Sequence, residues 1–116
     1  MSDPAPERQE PSVRGLADLD ELDALFAALS HRTRRAILVR LQAYGGAMTS
    51  GKIAEGMENT WQTTSRHLRL LQEAGLITAE LHGRERIYRL TATPMKDALA
   101  TWAARFPSDD SNDSNG

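Results

Sequence analysis

The 116-residue chain contains no cysteine and no long apolar run. Without cysteine it can form no disulfide, thiolate metal site or thiol redox sensor, and it has no cysteine nucleophile. No segment approaches the roughly 20 apolar residues of a membrane-spanning helix, and the N-terminus lacks the apolar core of a secretory signal peptide. We therefore expect a protein of the cytoplasm that has no membrane partner.

Motifs that carry catalysis or hold a cofactor are also missing. The sequence contains no G-x-S-x-G, no H-E-x-x-H and no phosphate-binding P-loop. Its three histidines, His31, His67 and His82, fall in three different predicted elements and lack the close spacing of metal ligands. We expect no catalytic residue, no metal site and no cofactor, in a chain that is not an enzyme.

Charge is unevenly distributed along the chain. The whole sequence has a formal net charge of −2, whereas residues 31–89 carry ten Lys or Arg against five Asp or Glu. A basic middle between acidic ends is typical of a surface that binds a polyanion. The alternative is that the arginines only keep a helical face in contact with water.

The two ends of the chain differ in composition from its middle. Residues 1–15 are rich in proline and charge, and residues 107–116 are polar and acidic. Such segments bury too little apolar surface to fold. We expect a disordered N-terminal tail over 1–15, one folded domain over 16–106 and a disordered acidic C-terminal tail over 107–116.

Five helices are predicted between the tails. Apolar residues recur every three or four positions over about 18–29 and again over about 31–43, where Ser30 is the expected N-cap. A short third helix begins at Thr49 or Ser50, either of which can serve as its N-cap.

The fourth and fifth helices have clear boundary signals. Thr60 is the expected N-cap of a fourth helix over 60–74, and Gly75 ends it in the left-handed conformation that glycine adopts at little cost. Thr93 and Pro94 open the last helix as its N-cap and its first-turn proline.

After the fourth helix the apolar period becomes that of a strand. Residues 77–81 and 86–90 form two short runs typical of strands, with Gly83 in the turn between them. Two helices joined by a tight turn and followed by a two-stranded hairpin form a winged helix-turn-helix, a mainly α fold with a small β-hairpin. In that fold the second helix of the pair, here 60–74, enters the major groove of DNA.

Three sequence strings resemble the signatures of the ArsR-like family of bacterial transcriptional repressors. They are LFAALSHRTRRAIL, TTSRHLRLLQEAGLI and GRERIYRL, and they occur in the family's order and spacing over residues 25–90. The resemblance implies a homodimeric winged-helix repressor that binds a palindromic operator in double-stranded DNA. It also implies that the first and last helices form the dimer interface.

The apolar stripes of the first and last helices favour a dimer independently of the resemblance. Both stripes are expected outside the core formed by the second, third and fourth helices. Two such stripes are more than the small core of so short a chain needs to cover it. Pairing across a two-fold axis would bury both stripes, whereas the alternative is that they pack on their own domain. The expected interface residues are Leu19, Leu22, Phe26, Met95, Leu99, Trp102 and Phe106.

The front of the fourth helix carries the principal expected DNA contacts. The helical period turns the apolar residues inward and the polar ones outward. Gln62 can pair bidentately with adenine and Arg66 with guanine, while Arg69, one turn further on, is expected at the DNA backbone. The full set expected on this helix is Trp61, Gln62, Thr63, Ser65, Arg66 and Arg69.

Two residues of this helix depart from what the resemblance implies. Trp61 stands where relatives often carry a polar residue, and it either contacts a thymine methyl group or a sugar, or packs against Met57 and braces the turn. Thr64 stands where an aliphatic residue is usual, and its hydroxyl can bond back to the previous turn. His67 matches the family's own histidine and is expected at the edge of the core, bonded to backbone or phosphate.

Further DNA contacts are expected in the third helix and in the wing. Thr49, Ser50 and Lys52 begin the third helix, whose unpaired backbone amides could meet a phosphate. In the wing, over 82–86, Arg84 and Arg86 are expected on one face, with one entering a minor groove and the other meeting a phosphate.

An effector and an alternative function stay open at this stage. Metal-sensing relatives use cysteine pairs, or Asp and His sets on the last helix, whereas this chain has no cysteine and no histidine in PMKDALATWAARF. A metal effector is therefore not expected, and an organic ligand, a protein antagonist or no effector remain. The alternative function is a winged-helix protein-interaction module that does not bind DNA. Such a module would show acids or an apolar patch on the fourth helix, where this chain carries Gln62, Ser65 and two arginines.

Overall fold

The computed structural model describes residues 19–109, so the predicted tail over 1–15 and most of the tail over 107–116 lie outside the described range. Helix α1 occupies residues 19–29. The elements that follow are α2 (Arg32–Ala43), β1 (Ala47–Thr49), α3 (Ser50–Glu55), α4 (Trp61–Glu73), β2 (Ile77–His82), β3 (Glu85–Leu90) and α5 (Thr93–Ala103). Five helices with one small antiparallel sheet confirm the predicted winged helix-turn-helix, in which α3 and α4 are the helix pair.

The sheet has three strands rather than the predicted two. Its order is β1-β3-β2, and both pairings are antiparallel. Tyr88 in β3 lies between Met48 of β1 and Ala79 of β2, and these residues face the core. The third strand ties the segment before α3 to the wing and thereby fixes where the helix pair stands relative to it.

The hairpin turn is as short as a β-hairpin allows. His82 pairs with Glu85, so only Gly83 and Arg84 lie between the strands. Gly83 has a φ of 63°, and Arg84 has no positive φ. A glycine at the first of two turn positions is the pattern of the turn whose twist matches that of the flanking strands. The wing therefore projects as a regular ribbon with an arginine at its tip.

The core is built from α1, α2, α3, α4 and the inner face of the sheet. α1 takes part in it, because Leu22, Leu25 and Ala28 are buried among the other core residues. The prediction that the α1 stripe lies wholly outside the core was therefore wrong for Leu22, which is 5% exposed. The residues that are at most 1% exposed are Ile37, Leu41, Ile53, Thr64, Leu68, Leu71, Leu76 and Ile77.

Three helix starts show how local hydrogen bonds set the boundaries. Thr49 and Thr60 accept backbone N–H bonds at the starts of α3 and α4, as the sequence predicted. The cap of α2 is His31, whose Nδ1 accepts from the Thr33 amide at 3.2 Å. The predicted cap, Ser30, instead donates its hydroxyl to the Ala27 carbonyl at 2.8 Å, so it closes α1 rather than opening α2.

The ends of α4 and α5 confirm one prediction and correct another. Gly75 has a φ of 78° directly after the Ala74 C-cap, as expected for a glycine that ends a helix. α5 begins at Thr93, one residue earlier than predicted, and ends at Ala103. Phe106 therefore lies beyond the helix, where its ring contacts that of Trp102 edge-on at 5.1 Å between centroids. Within residues 19–109, the structure contains no helix with the length and apolar character of a membrane span.

Candidate nucleic-acid interface

Helix α4 presents a polar face to solvent because its other face is held in the core. Gln62, Arg66 and Arg69 are exposed. Within residues 19–109 these three side chains make no hydrogen bond or ion pair, so their donors are available to a partner. The residues that hold the opposite face in the core are Thr64, His67, Leu68 and Leu71.

The first turn of α4 contains the hydrogen bonds that cap the helix and an exposed tryptophan side chain. Thr60 accepts from the Thr63 amide at 3.2 Å and donates its hydroxyl to that of Thr63 at the same distance. The Thr63 hydroxyl thus contributes to the cap of the helix. Trp61 is 45% exposed, so part of its indole faces solvent, and Ser65 is partly buried.

The start of α3 is organised around Lys52. The Thr49 hydroxyl accepts from the Lys52 amide at 3.1 Å, and Ser50 is partly buried beside it. The Lys52 ammonium lies 3.9 Å from Glu55 and 5.8 Å from the centroid of the Tyr44 ring. Both contacts are at the surface and weak, so Lys52 can exchange them for a phosphate.

The wing carries two arginines with no partner among the described residues. Arg84 in the turn and Arg86 in β3 are both exposed. On the other face of the wing, Glu80 accepts hydrogen bonds from His82 and Arg89. The bond from His82, together with Arg89, lowers the pKa of Glu80. Arg89 therefore has an acidic partner, whereas Arg84 and Arg86 near the tip of the wing have none among the described residues.

Three arginines of the basic middle hold the fold together instead of facing a polyanion. Arg34 donates to the Ala27 and Ala28 carbonyls and to His67, and Arg35 donates to the Leu29 carbonyl at 2.8 Å. These carbonyls end α1 and have no partner inside the helix. This role was not predicted from the sequence, although arginines a few residues past a helix end are well placed to take it.

Arg40 performs the same task for α3. Its guanidinium donates to the Ile53 carbonyl at 3.0 Å and to the Lys52 carbonyl at 3.2 Å, and it lies over the Tyr44 ring. It also lies directly against the backbone of Gly56, where a Cβ would collide with it. Gly56 is thus the residue that lets Arg40 reach the end of α3. As with Arg34 and Arg35, the sequence pattern showed the charge but not its partner.

The polar residues buried in α4 differ from prediction in their partners. The Thr64 hydroxyl, predicted to bond back to the previous turn, has no hydrogen-bond partner among the described residues. His67 is 6% exposed, and its Nδ1 faces the Arg34 side chain at 3.1 Å rather than a backbone group. Burial, His31, Arg34 and Arg66 lower the pKa of His67, burial having the largest effect.

The expected interface residues divide into three groups. Leu22 is buried in the core of its own chain and is not available to a partner. Met95 and Trp102 are partly buried against that core. The remaining four, Leu19, Phe26, Leu99 and Phe106, are exposed large apolar residues.

No group of three or more His, Asp or Glu side chains in residues 19–109 could hold a metal ion. A cleft of about 450 Å³ lies between α1 and α5, over the end of α4. Its apolar lining includes Leu25, Met95 and Trp102, and its charged lining includes Glu21 and Arg105. The cleft is of the size that organic ligands occupy.

Comparison with known proteins gives consistent matches. A family model described as a helix-turn-helix domain matches residues 29–80. The transcriptional repressor SdpR of Bacillus subtilis is 35% identical over 92 residues, which are 79% of this chain and 99% of SdpR. The HTH-type transcriptional regulator YuzN of the same organism is 33% identical over 85 residues, 69% of this chain and 92% of YuzN.

The fold also matches solved structures. An ArsR-like transcriptional regulator from Rhodococcus sp. RHA1 is 31% identical, with a TM-score of 0.64 over 74% of this chain and 79% of that one. HlyU from Vibrio cholerae has a TM-score of 0.59 over 75% of this chain and 92% of its own, at 21% identity, a likeness that concerns the fold alone.

Proposed function

This chain belongs to the ArsR-like family of winged helix-turn-helix transcriptional regulators, and from that premise we propose that it is a homodimeric repressor of a palindromic operator. It is a DNA-binding regulator by family. What the proposal adds is the surface that binds, with α4 in the major groove and the wing at the minor groove or backbone, and the oligomeric state in which it binds.

The exposed face of α4 carries the proposal. Three positions along it hold side chains suited to DNA, and none of the three is engaged elsewhere in residues 19–109. Gln62 and Arg66 have the geometry for bidentate contacts to adenine and guanine, and Arg69 is placed a turn later for a phosphate. The contrast with Arg34, Arg35 and Arg40, which are committed to carbonyl groups, separates the arginines proposed for DNA from those that stabilise the fold.

Other proposed contacts surround this face. Trp61 is half exposed at the start of α4, next to Thr63 and Ser65, and its indole is available to a sugar or a thymine methyl group. At the start of α3, Lys52 is proposed to bind a phosphate, together with Thr49 and Ser50. The wing is proposed to place Arg84 near a minor groove, because an arginine at the tip of a narrow ribbon can enter it, and Arg86 at the adjoining backbone.

The dimer is proposed to form through α1 and α5. Leu19, Phe26, Leu99 and Phe106 keep a large apolar surface in water in the single chain. Burial of that surface in a two-fold pair would favour association by the hydrophobic effect. Two copies of α4 would then face successive major grooves, so the operator is expected to be a palindrome with half-sites about one helical turn apart. Repression is proposed because the relative SdpR is named a transcriptional repressor.

Selection from a random duplex library tests this proposal. The full chain is incubated with the library, bound duplexes are amplified over several rounds, and the enriched sequence is examined for two-fold symmetry. We expect a palindrome, and we expect its affinity to fall steeply with salt, because each neutralised phosphate releases counterions with a slope of roughly −0.9 per contact.

Two results would contradict the proposal. Enrichment of a single half-site, without a second one at a fixed spacing, would exclude the symmetric dimer. No enrichment, together with weak and salt-independent binding, would exclude sequence-specific DNA binding by this surface and would favour the alternative of a protein-interaction module.

A further inference from the structure

We propose that Arg34 is a positioning residue for DNA recognition, because it ties the end of α1 to the recognition helix α4 through His67. This inference rests on the proposed role of α4 in contacting bases. Neither Arg34 nor His67 is proposed to touch DNA; they set the orientation of the helix whose exposed face does.

One guanidinium makes all the contacts. Arg34 Nε donates to the Ala28 carbonyl at 2.8 Å, Nη2 donates to the Ala27 carbonyl at 2.9 Å, and Nη1 donates to His67 Nδ1 at 3.1 Å. Because the guanidinium is planar and rigid, its bonds to the two carbonyls fix where the third donor points. The position of His67 is thereby fixed relative to the C-terminal end of α1.

The Arg34–His67 contact differs from the other contacts that hold α4 because it is directional. Apolar packing of Leu68 and Leu71 is not directional, so it resists separation of the helix from the core more than rotation about its axis. A hydrogen bond is directional. In the described part of the chain, Arg34–His67 is the one side-chain hydrogen bond that joins α4 to another element. His67 is also the neighbour of Arg66, so a rotation of α4 would carry Arg66 with it.

The contact requires a neutral His67. Arginine has no acceptor and stays protonated, so Nδ1 of His67 must accept and its ring proton must be on Nε2. The groups around the ring favour the neutral form: it is buried, its ring centroid lies 4.6 Å from that of His31, and Arg34 and Arg66 add positive charge. These effects lower the pKa of His67 from its ordinary value of 6.5.

Because the pKa of His67 is lowered, the direction in which pH changes the stability of the fold can be stated. Between the lowered folded pKa and 6.5, the unfolded chain binds a proton that the folded chain does not, so stability from this site is complete above about pH 6.5 and is lost as pH falls. Below the folded pKa, protonated His67 presents a donor to the Arg34 donor. The contact then breaks, and discrimination between operator and random DNA should fall with it.

Nuclear magnetic resonance of the imidazole nitrogens in the full chain without DNA tests the contact itself. We expect His67 to be the Nε2–H tautomer and to titrate below pH 6.5. Arg34→Lys, which cannot hold all three acceptors at once, should alter the tautomer ratio and the titration midpoint. An Nδ1–H tautomer, or a protonated His67 at pH 7, would overturn the inference whatever the DNA results.

Fluorescence anisotropy with the selected operator and a random duplex tests the positioning. Arg34→Lys should reduce the ratio of the two affinities roughly tenfold, at a temperature where circular dichroism shows the variant folded. His67→Asn places an amide oxygen near the position of Nδ1 and does not titrate, so it should keep most of the ratio and lose its decline at low pH. His31→Ser, which can still cap α2, should keep that decline.

The outcomes separate the two proposals. An unchanged affinity ratio in folded Arg34→Lys, or a low-pH decline that survives in His67→Asn, would overturn the positioning role. If the native protein itself shows no preference for the operator, the proposed function fails, while the tautomer measurement still decides whether the Arg34–His67 contact exists.

Discussion

The side chain of Thr64 is almost fully buried in α4, and its hydroxyl oxygen has no hydrogen-bond partner among residues 19–109. A buried hydroxyl without a partner has lost its bonds to water and gained none in return. Thr64 is nevertheless of the right shape for the buried face of α4 that it shares with Leu68 and Leu71, because a β-branched side chain of this size fills the same volume as valine. Its shape therefore stabilises the core and its hydroxyl does not.

Thr64→Val should raise the free energy of unfolding by about 1 kcal/mol, because it removes an unpaired polar group and keeps the volume. Urea denaturation followed by circular dichroism measures the change. Thr63→Val is the matched control: it removes a hydroxyl that accepts a bond from Thr60 at an exposed position, and it should lower stability slightly or leave it unchanged. A loss of 1 kcal/mol or more in Thr64→Val would mean that the hydroxyl has a partner.

At the scale of secondary-structure elements, the features that depend on residues close together in the chain were predicted correctly. α4 and its cap Thr60, its end at Gly75, and the hairpin around Gly83 were all confirmed. Each depends on residues close together in the chain, through a capping hydroxyl or a positive φ that glycine adopts readily. The helix that carries the candidate DNA face could therefore be placed from the sequence.

Elements and contacts that depend on distant residues were missed. β1 has only three residues, too few for an alternating pattern, and it becomes a strand because it pairs with β3 some forty residues later. The roles of Arg34 and Arg40 were missed for the same reason, because composition shows a positive charge but not the carbonyl that it reaches. Leu22 was assigned to the interface because its stripe shows amphipathicity without showing which partner covers it.

α3 is a short helix whose end depends on one arginine. Arg40→Met should lower the free energy of unfolding by about 1 to 3 kcal/mol, because the carbonyls of Lys52 and Ile53 lose their charged donor while the aliphatic stem is kept. Arg69→Met, at an exposed position without a partner among the described residues, is the control and should change stability by less than about 0.5 kcal/mol. Equal effects in urea denaturation would contradict the capping role of Arg40.

At the scale of the whole molecule, a surface rich in hydrogen-bond donors and an apolar surface lie on different elements. α4, the start of α3 and the wing tip carry the donors proposed for DNA, and α1, α5 and the segment just after α5 carry the exposed apolar residues proposed for the dimer interface. A single copy of this surface would contact one half-site, so affinity for a palindrome depends on the second copy. The dimer and the operator symmetry are therefore two parts of one proposal.

Phe26→Glu should convert a dimer into a monomer, because it places a charge in the proposed apolar interface, where Phe26 is 44% exposed in the single chain. Sedimentation equilibrium measures the mass, and operator affinity should fall at least tenfold with it. Val39→Glu is the matched control, since Val39 in α2 is 62% exposed and lies outside both stripes. A dimer in Phe26→Glu, or a monomer in both variants, would contradict the assignment of the interface to α1 and α5.

We propose that the exposed face of α4 contacts bases, and Arg66 is the residue on which this can best be measured. The measurement is the ratio of operator to random-duplex affinity in Arg66→Ala, with Lys96→Ala as a control that removes the same charge from an exposed position on α5. We expect Arg66→Ala to lose about 1 to 3 kcal/mol of discrimination and Lys96→Ala to lose none. Equal weakening on both DNAs in Arg66→Ala would contradict base contact by Arg66 and would leave it a phosphate-binding residue.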